Sequence, residues 1–175
     1  MSRILYLQRH AKSSWADTGL DDHERPLNGR GRDACRRLAR HWRKADIRPE
    51  MVLCSDAART RETFERIAER LKADPPPITF VPSLYLAEPE AILEVVAAQP
   101  AKLHRLMVVG HNPGLEELAQ LMIGDGDPAD VGRLVDKFPT GALATLDFGK
   151  ARGWRDLKPR AARLAAYVIP AELED

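Results

Sequence analysis

Three short apolar runs, each broken by a polar turn and followed by apolar residues at helical spacing, constrain this chain more than any other feature. The runs are Leu5-Tyr6-Leu7, Met51-Val52-Leu53-Cys54 and Leu106-Met107-Val108-Val109. Each is far shorter than the roughly 20 residues that span a bilayer, and each reads as a buried strand. Behind them come Leu38, Ala39 and Trp42; then Thr60, Phe64, Ile67, Ala68 and Leu71; then Leu115, Leu118, Ala119 and Met122, all at helical spacing. Strand, turn and helix in alternation predict an α/β fold with a mostly parallel central sheet and helices on both faces. Such sheets take ligands at the C-terminal ends of their strands. There the chain places Arg9-His10, Ser55 with Arg59, and Gly110-His111.

The remaining elements follow from local signals. The first strand covers residues 4–8, and Asn28 caps a helix that runs to about Ala45. Pro75-Pro76-Pro77 cannot continue a helix, so a strand over 78–81 begins after it. Pro89 starts another helix at a favoured first-turn position, with Ile92, Val95 and Val96 inward. Gly124-Asp125-Gly126-Asp127-Pro128 ends the helix before it, and strands over 142–148 and 164–169 complete the chain.

At 175 residues one domain, 1–175, suffices, because a domain of that size buries about 70% of the surface its unfolded chain exposes. The 27 basic and 26 acidic side chains nearly cancel, so any preference for anions has to be local. Seven cations, Arg30, Arg32, Arg36, Arg37, Arg40, Arg43 and Lys44, load one helix. With no interleaved aromatics they read as a solvated face, and no nucleic-acid partner is expected. Cys35 and Cys54 sit in core-like segments without a disulfide framework, and no apolar stretch suits a signal peptide or a membrane span. A soluble, cytoplasmic protein with no membrane partner is expected. His23, His41 and His104 lack metal-ligand spacing and read as surface residues, Arg61 likewise, so neither a metal nor another cofactor is expected.

A histidine closing a strand is held by backbone on both sides and is a candidate nucleophile. Phosphoryl transfer asks the protein for an in-line nucleophile and for positive charge around the equatorial oxygens. Arg9, Arg59 and His111 supply that charge, and the arginine fork matches phosphate oxygens bidentately. Ser55 or Asp56, opening the next helix, adds backbone donors. Neutral His10 would attack through one ring nitrogen while the other donates to a backbone carbonyl.

Arg9-His10, Ser55-x-x-x-Arg59-x-x-x-Thr63 and Gly110-His111, in that order, resemble the signature of the histidine phosphatase superfamily, the phosphoglycerate-mutase-like fold of three layers. Leu7 to Ser13, the Glu24-Arg25-Pro26-Leu27-Asn28 segment, His111-Asn112-Pro113-Gly114 and Phe138-Pro139-Thr140-Gly141-Ala142 resemble the short SixA-type phosphohistidine phosphatases, a likeness that covers nearly the whole chain. The resemblance implies a covalent intermediate on His10, later removed by water, with Arg9, Arg59 and His111 as the phosphate pocket. Two departures stand out. Ala11 replaces the glycine that usually follows the first motif, as SixA-type sequences allow. The glutamate that protonates alkoxide leaving groups in many relatives falls on Leu86, with Glu88 two residues late. A phosphorylated imidazole leaves far more readily than an alkoxide, so the missing acid favours a phosphohistidine on a phosphorylated protein. The alternatives are a phosphatase for a small phosphorylated metabolite with Glu88 as general acid, and a non-catalytic phosphoprotein-binding module. Ser13 and Ser14 are left between a phosphate contact and a plain turn.

Overall fold

The computed structural model describes residues 1–175. Seven strands form one sheet: β1 (Ile4–Arg9), β2 (Met51–Cys54), β3 (Ile78–Phe80), β4 (Arg105–Gly110), β5 (Ile123–Gly126), β6 (Leu143–Asp147) and β7 (Ala162–Val168), in the order β3-β2-β4-β1-β6-β7-β5. Six strands run one way, and β6, antiparallel to both β1 and β7, runs against them. Five helices complete the fold: α1 (Gly29–Lys44), α2 (Ala58–Ala68), α3 (Pro89–Ala97), α4 (Gly114–Met122) and α5 (Pro128–Asp136).

Because side chains alternate across a strand, one sheet builds two cores. Leu5, Leu7, Leu53, Leu106, Val108, Ala144 and Leu146 face one way and pack against Ile92, Val96, Leu115, Leu118 and Leu134 of α3, α4 and α5. Tyr6, Val52, Cys54, Met107, Val109 and Leu143 face the other way and pack against Cys35, Leu38, Trp42, Phe64 and Ile67 of α1 and α2. The result is three layers, helix, sheet and helix.

Topology sets the position of the site. β1 and β4 are parallel neighbours, with Arg9 opposite Gly110. The chain leaves β1 for α1 on one face and leaves β4 for α4 on the other. Adjacent strands whose connections diverge to opposite faces open a crevice at their C-terminal ends.

Most local signals acted as read. Asn28 caps α1, its side chain accepting from the Gly31 amide at 2.9 Å. The glycine-rich segment follows the end of α4 at Met122, as read, but it also builds two elements that were not expected. Gly124-Asp125-Gly126 lies within β5 at the sheet edge, and Asp127 with Pro128 opens α5, the Asp127 carboxylate accepting from Ala129 and Asp130. A strand of this composition carries almost no apolar alternation, so periodicity could not register it. A side chain on Gly124 would run into the Arg160 carbonyl, so glycine here lets an edge strand approach its neighbour. α2 ends at Ala68, and Leu71, beyond it, still packs on the core. No helix of the chain is long and apolar enough to cross a membrane.

Candidate active site

β1, β4 and β2 end side by side and deliver His10, His111 and Ser55 to one crevice. The His10 amide donates to the Gly110 carbonyl at 3.1 Å, and the His10 carbonyl accepts from Gly141 at 2.8 Å. The residue is therefore clamped from both neighbouring strand ends. Gln8, fully buried, adds to the clamp by donating to the Gly141 and Arg9 carbonyls at 2.9 Å. Gly141 has φ +78°, and a Cβ there would meet the Pro170 ring, so this turn requires glycine.

His10 is 6% exposed, and its Nδ1–H donates to the Ala11 carbonyl at 2.7 Å. That bond leaves Nε2 as the free, lone-pair-bearing nitrogen. Burial pushes the His10 pKa down to about 3; the Ala11 carbonyl opposes this, and Arg59, Arg9 and Arg25 add to it. Ala11 takes no left-handed backbone conformation, and its methyl is buried in the core, so the departure from glycine costs nothing here.

The His111 ring centroid lies 5.4 Å from that of His10. Its Nε2 pairs with Ser55 Oγ at 2.8 Å, and its Nδ1 is buried without a partner. Ser55 Oγ also accepts from the Ala57 amide at 3.3 Å. The hydroxyl keeps a second lone pair as well as its proton, so it can accept from or donate to His111 Nε2. Burial, then His10 and Arg59, push the His111 pKa down to about 3. Ser55 thus acts on His111 rather than opening α2, whose N-cap is Ala57.

Arg59 leaves the first turn of α2, is 4% exposed, and donates through Nη1 to the Asp22 carbonyl at 2.7 Å and through Nη2 to its carboxylate at 3.0 Å. Thr63, one turn on, donates to the Arg59 carbonyl at 2.7 Å and accepts from the Ala11 amide at 2.9 Å, tying α2 to the loop behind His10. Arg9 donates to the Phe138 carbonyl at 2.9 Å, and its Nε is buried without a partner. Two buried nitrogens, Arg9 Nε and His111 Nδ1, therefore have no partner within the protein.

Arg9, His10, Arg59 and His111, all expected at the site, line a common cavity of about 350 Å³. Arg25, which sequence reasoning quoted in a motif but gave no role, lines it too. It is buried, and its three nitrogens donate to the Ser14 carbonyl, the Asp22 carboxylate and Ser13 Oγ. Its position ahead of Pro26 in a polar turn was the available signal. Ser13 thus faces the pocket, whereas Ser14 makes the turn, its hydroxyl accepting from Ala16. With Lys12, four cations line the cavity against a single carboxylate, Asp22. The Tyr85 hydroxyl donates to Asp22 and, with Arg59 and Arg25, holds that carboxyl below its usual range, hence ionised.

Glu88 does not line the cavity. It is exposed, occupies the N-cap position of α3, and makes no side-chain cap bond. Leu86 lines the cavity in its place. The loop between is fixed by Gly114, where a Cβ would strike the Ala87 carbonyl. His23 is no free surface residue: its ring bonds Asp56 and Glu24, both at 2.9 Å, and meets Tyr85 edge-on. Arg61 lies over the Phe80 ring at 4.0 Å. His41 and His104 are half-buried.

A buried, neutral imidazole sharing its cavity with three arginines suits a phosphoryl group, and the chain belongs to the histidine phosphatase superfamily. The family model described as histidine phosphatase superfamily (branch 1) matches residues 5–84. Within the superfamily the chain is of the SixA type. The solved structure of SixA from Agrobacterium tumefaciens superposes with TM-score 0.79 at 30% identity, covering 97% of this chain and 99% of that one. SixA from Nakamurella multipartitia gives 0.80 at 30% identity, covering 97% of each. An uncharacterized protein of Mycobacterium tuberculosis is 36% identical over 93% of this chain and 99% of its own length. The family makes this chain a phosphatase.

Proposed function

We propose that the chain, working as a single domain, is a phosphohistidine phosphatase in which His10 is the nucleophile and Arg9, Arg59 and His111 hold the transferring phosphoryl group. The observation that carries the choice of substrate is the absence of a carboxylic acid placed to protonate an alkoxide. Glu88 stands outside the cavity, Leu86 lines it instead, and Asp22 is ionised and bonded to two arginines.

The steps follow from the geometry. The His10 Nε2 lone pair attacks phosphorus while the substrate's P–N bond breaks and its electron pair returns to the leaving ring. With a proton on its other nitrogen, that ring departs as neutral imidazole and no acid is required. Arg9, Arg59 and His111 stabilise the equatorial oxygens. Nδ1 of His10 keeps its proton on the Ala11 carbonyl, so the enzyme intermediate is itself an N-phosphorylated, ring-protonated imidazole. Substrate and intermediate are chemical equivalents, and the transfer is close to thermoneutral. Water then attacks phosphorus, the P–Nε2 bond breaks toward nitrogen, and phosphate and a proton leave.

The test is hydrolysis of a phosphohistidine peptide beside a phosphoserine peptide and a panel of sugar and nucleotide monophosphates, with His10→Ala as control. Selective loss of phosphohistidine that depends on His10 is expected. Preference for the monoesters, or turnover surviving in His10→Ala, would overturn the proposal.

A further inference from the structure

The cavity is graded from bottom to mouth. His10 and His111 at its floor are 6% and 2% exposed, whereas Trp15 and Leu86 at its rim are 74% and 52% exposed. These two are the only apolar residues lining it, and both belong to the few large apolar side chains the protein leaves in solvent. An exposed tryptophan beside a charged pocket calls for an explanation.

Both are held in place. The Arg25 guanidinium lies 3.3 Å from the centre of the Trp15 ring, and its nitrogens are tied to Ser13, Ser14 and Asp22. One face of the indole is therefore covered by a fixed cation, and the other is open. Leu86 has φ +48°, a left-handed conformation that a branched side chain adopts only where its surroundings impose it. Strain of this kind gathers at ligand-binding positions.

A phosphoryl group seated among the floor cations places its leaving group at the rim. We infer that Trp15 and Leu86 clamp the leaving imidazole of phosphohistidine, the indole stacking on the ring and the leucine closing its edge, so that the enzyme selects planar aromatic leaving groups. This rests on the phosphohistidine reading and adds to it the residues that recognise the ring. Aromatic stacking of this kind changes binding by about two- to tenfold.

The test compares kcat/KM toward a phosphohistidine peptide with kcat/KM toward phosphoramidate, which has the same P–N bond but no ring. In Trp15→Ala the ratio of the two is expected to fall about tenfold, in Leu86→Ala about threefold, and in Trp15→Phe to stay within about twofold. An unchanged ratio in Trp15→Ala, with both substrates slowed alike, would overturn the clamp and leave Trp15 as a support for Arg25. A wild-type enzyme that hydrolyses phosphoramidate and ignores phosphohistidine would instead overturn the substrate reading, and the clamp with it.

Discussion

The two buried imidazoles tie stability to pH with a sign and a size that can be worked out. In the unfolded chain a histidine titrates near pH 6.5. In the folded protein burial pushes His10 and His111 down to about 3 each. Between these values the unfolded chain binds protons that the folded chain does not, so stability is full above about pH 6.5 and falls as the pH drops toward 3. With about 1.4 kcal/mol per pKa unit, each ring costs about 2 kcal/mol of stability between pH 7.5 and pH 5.0. The pair together cost about 4 kcal/mol, a large share of the 5–15 kcal/mol that holds a typical domain together.

Urea unfolding at the two pH values, for the wild type and for His10→Asn, His111→Asn and the double variant, isolates this contribution. Each single variant is expected to lose about 2 kcal/mol less than the wild type on acidification, and the double variant about 4 kcal/mol less. His41, whose pKa burial also lowers, is common to all four proteins and cancels. Proton NMR gives a second reading, in which the two site rings stay neutral at pH 5. His23, whose pKa is raised by its bonds to Asp56 and Glu24, titrates above 6.5 in the same spectra. Equal acid sensitivity in all four proteins, or rings that titrate near 6.5, would refute the neutral-nucleophile argument.

Two further outcomes test the division of labour in the pocket. Arg59→Ala is expected to lower kcat/KM by on the order of 10² or more, with partial recovery in Arg59→Lys, which restores charge without the fork; a loss below about tenfold would remove Arg59 from the phosphoryl cradle. Glu88→Gln is expected to change phosphohistidine turnover by less than about twofold, because an exposed carboxylate at the start of α3 acts on the helix and not on the substrate, whereas losing a general acid costs about 10² to 10⁴. A steady-state comparison on one substrate separates those ranges.

How legible these features were in the sequence depends on whether a residue's role is written in its own neighbourhood. β1, β2 and β4 were legible because continuous apolar runs have few other uses, and the catalytic end of the sheet was legible because polar residues stop those runs abruptly. Asn28 announced α1 through cap chemistry that needs only the next three residues. β5 was not legible: an edge strand made of glycine and aspartate is held by its neighbour β7, and nothing within the strand marks it, whereas α5 was overlooked although Asp127-Pro128 carries a local cap signal of the same kind as Asn28.

The site divides along the same line. His10, Arg9, Arg59 and His111 sit in or next to the elements that position them, so motif and strand end pointed to them together. Arg25, Trp15, Asp22 and Tyr85 come from the loops after β1 and β3 and meet only in the folded chain, where Asp22 joins Arg59, Arg25 and Tyr85. No spacing rule foretells such a meeting, because loop residues 63 positions apart are brought together by the two cores beneath them. The division is chemically sensible. A phosphoryl group demands the same charges whatever it is attached to, and those can be built into rigid strand ends; the leaving group differs between substrates, and its recognition lies with the loops. Under the proposed function Leu86 is the case in point: it sets an apolar side chain at the rim where the resemblance to the superfamily puts an acid, which suits a leaving group that departs unaided.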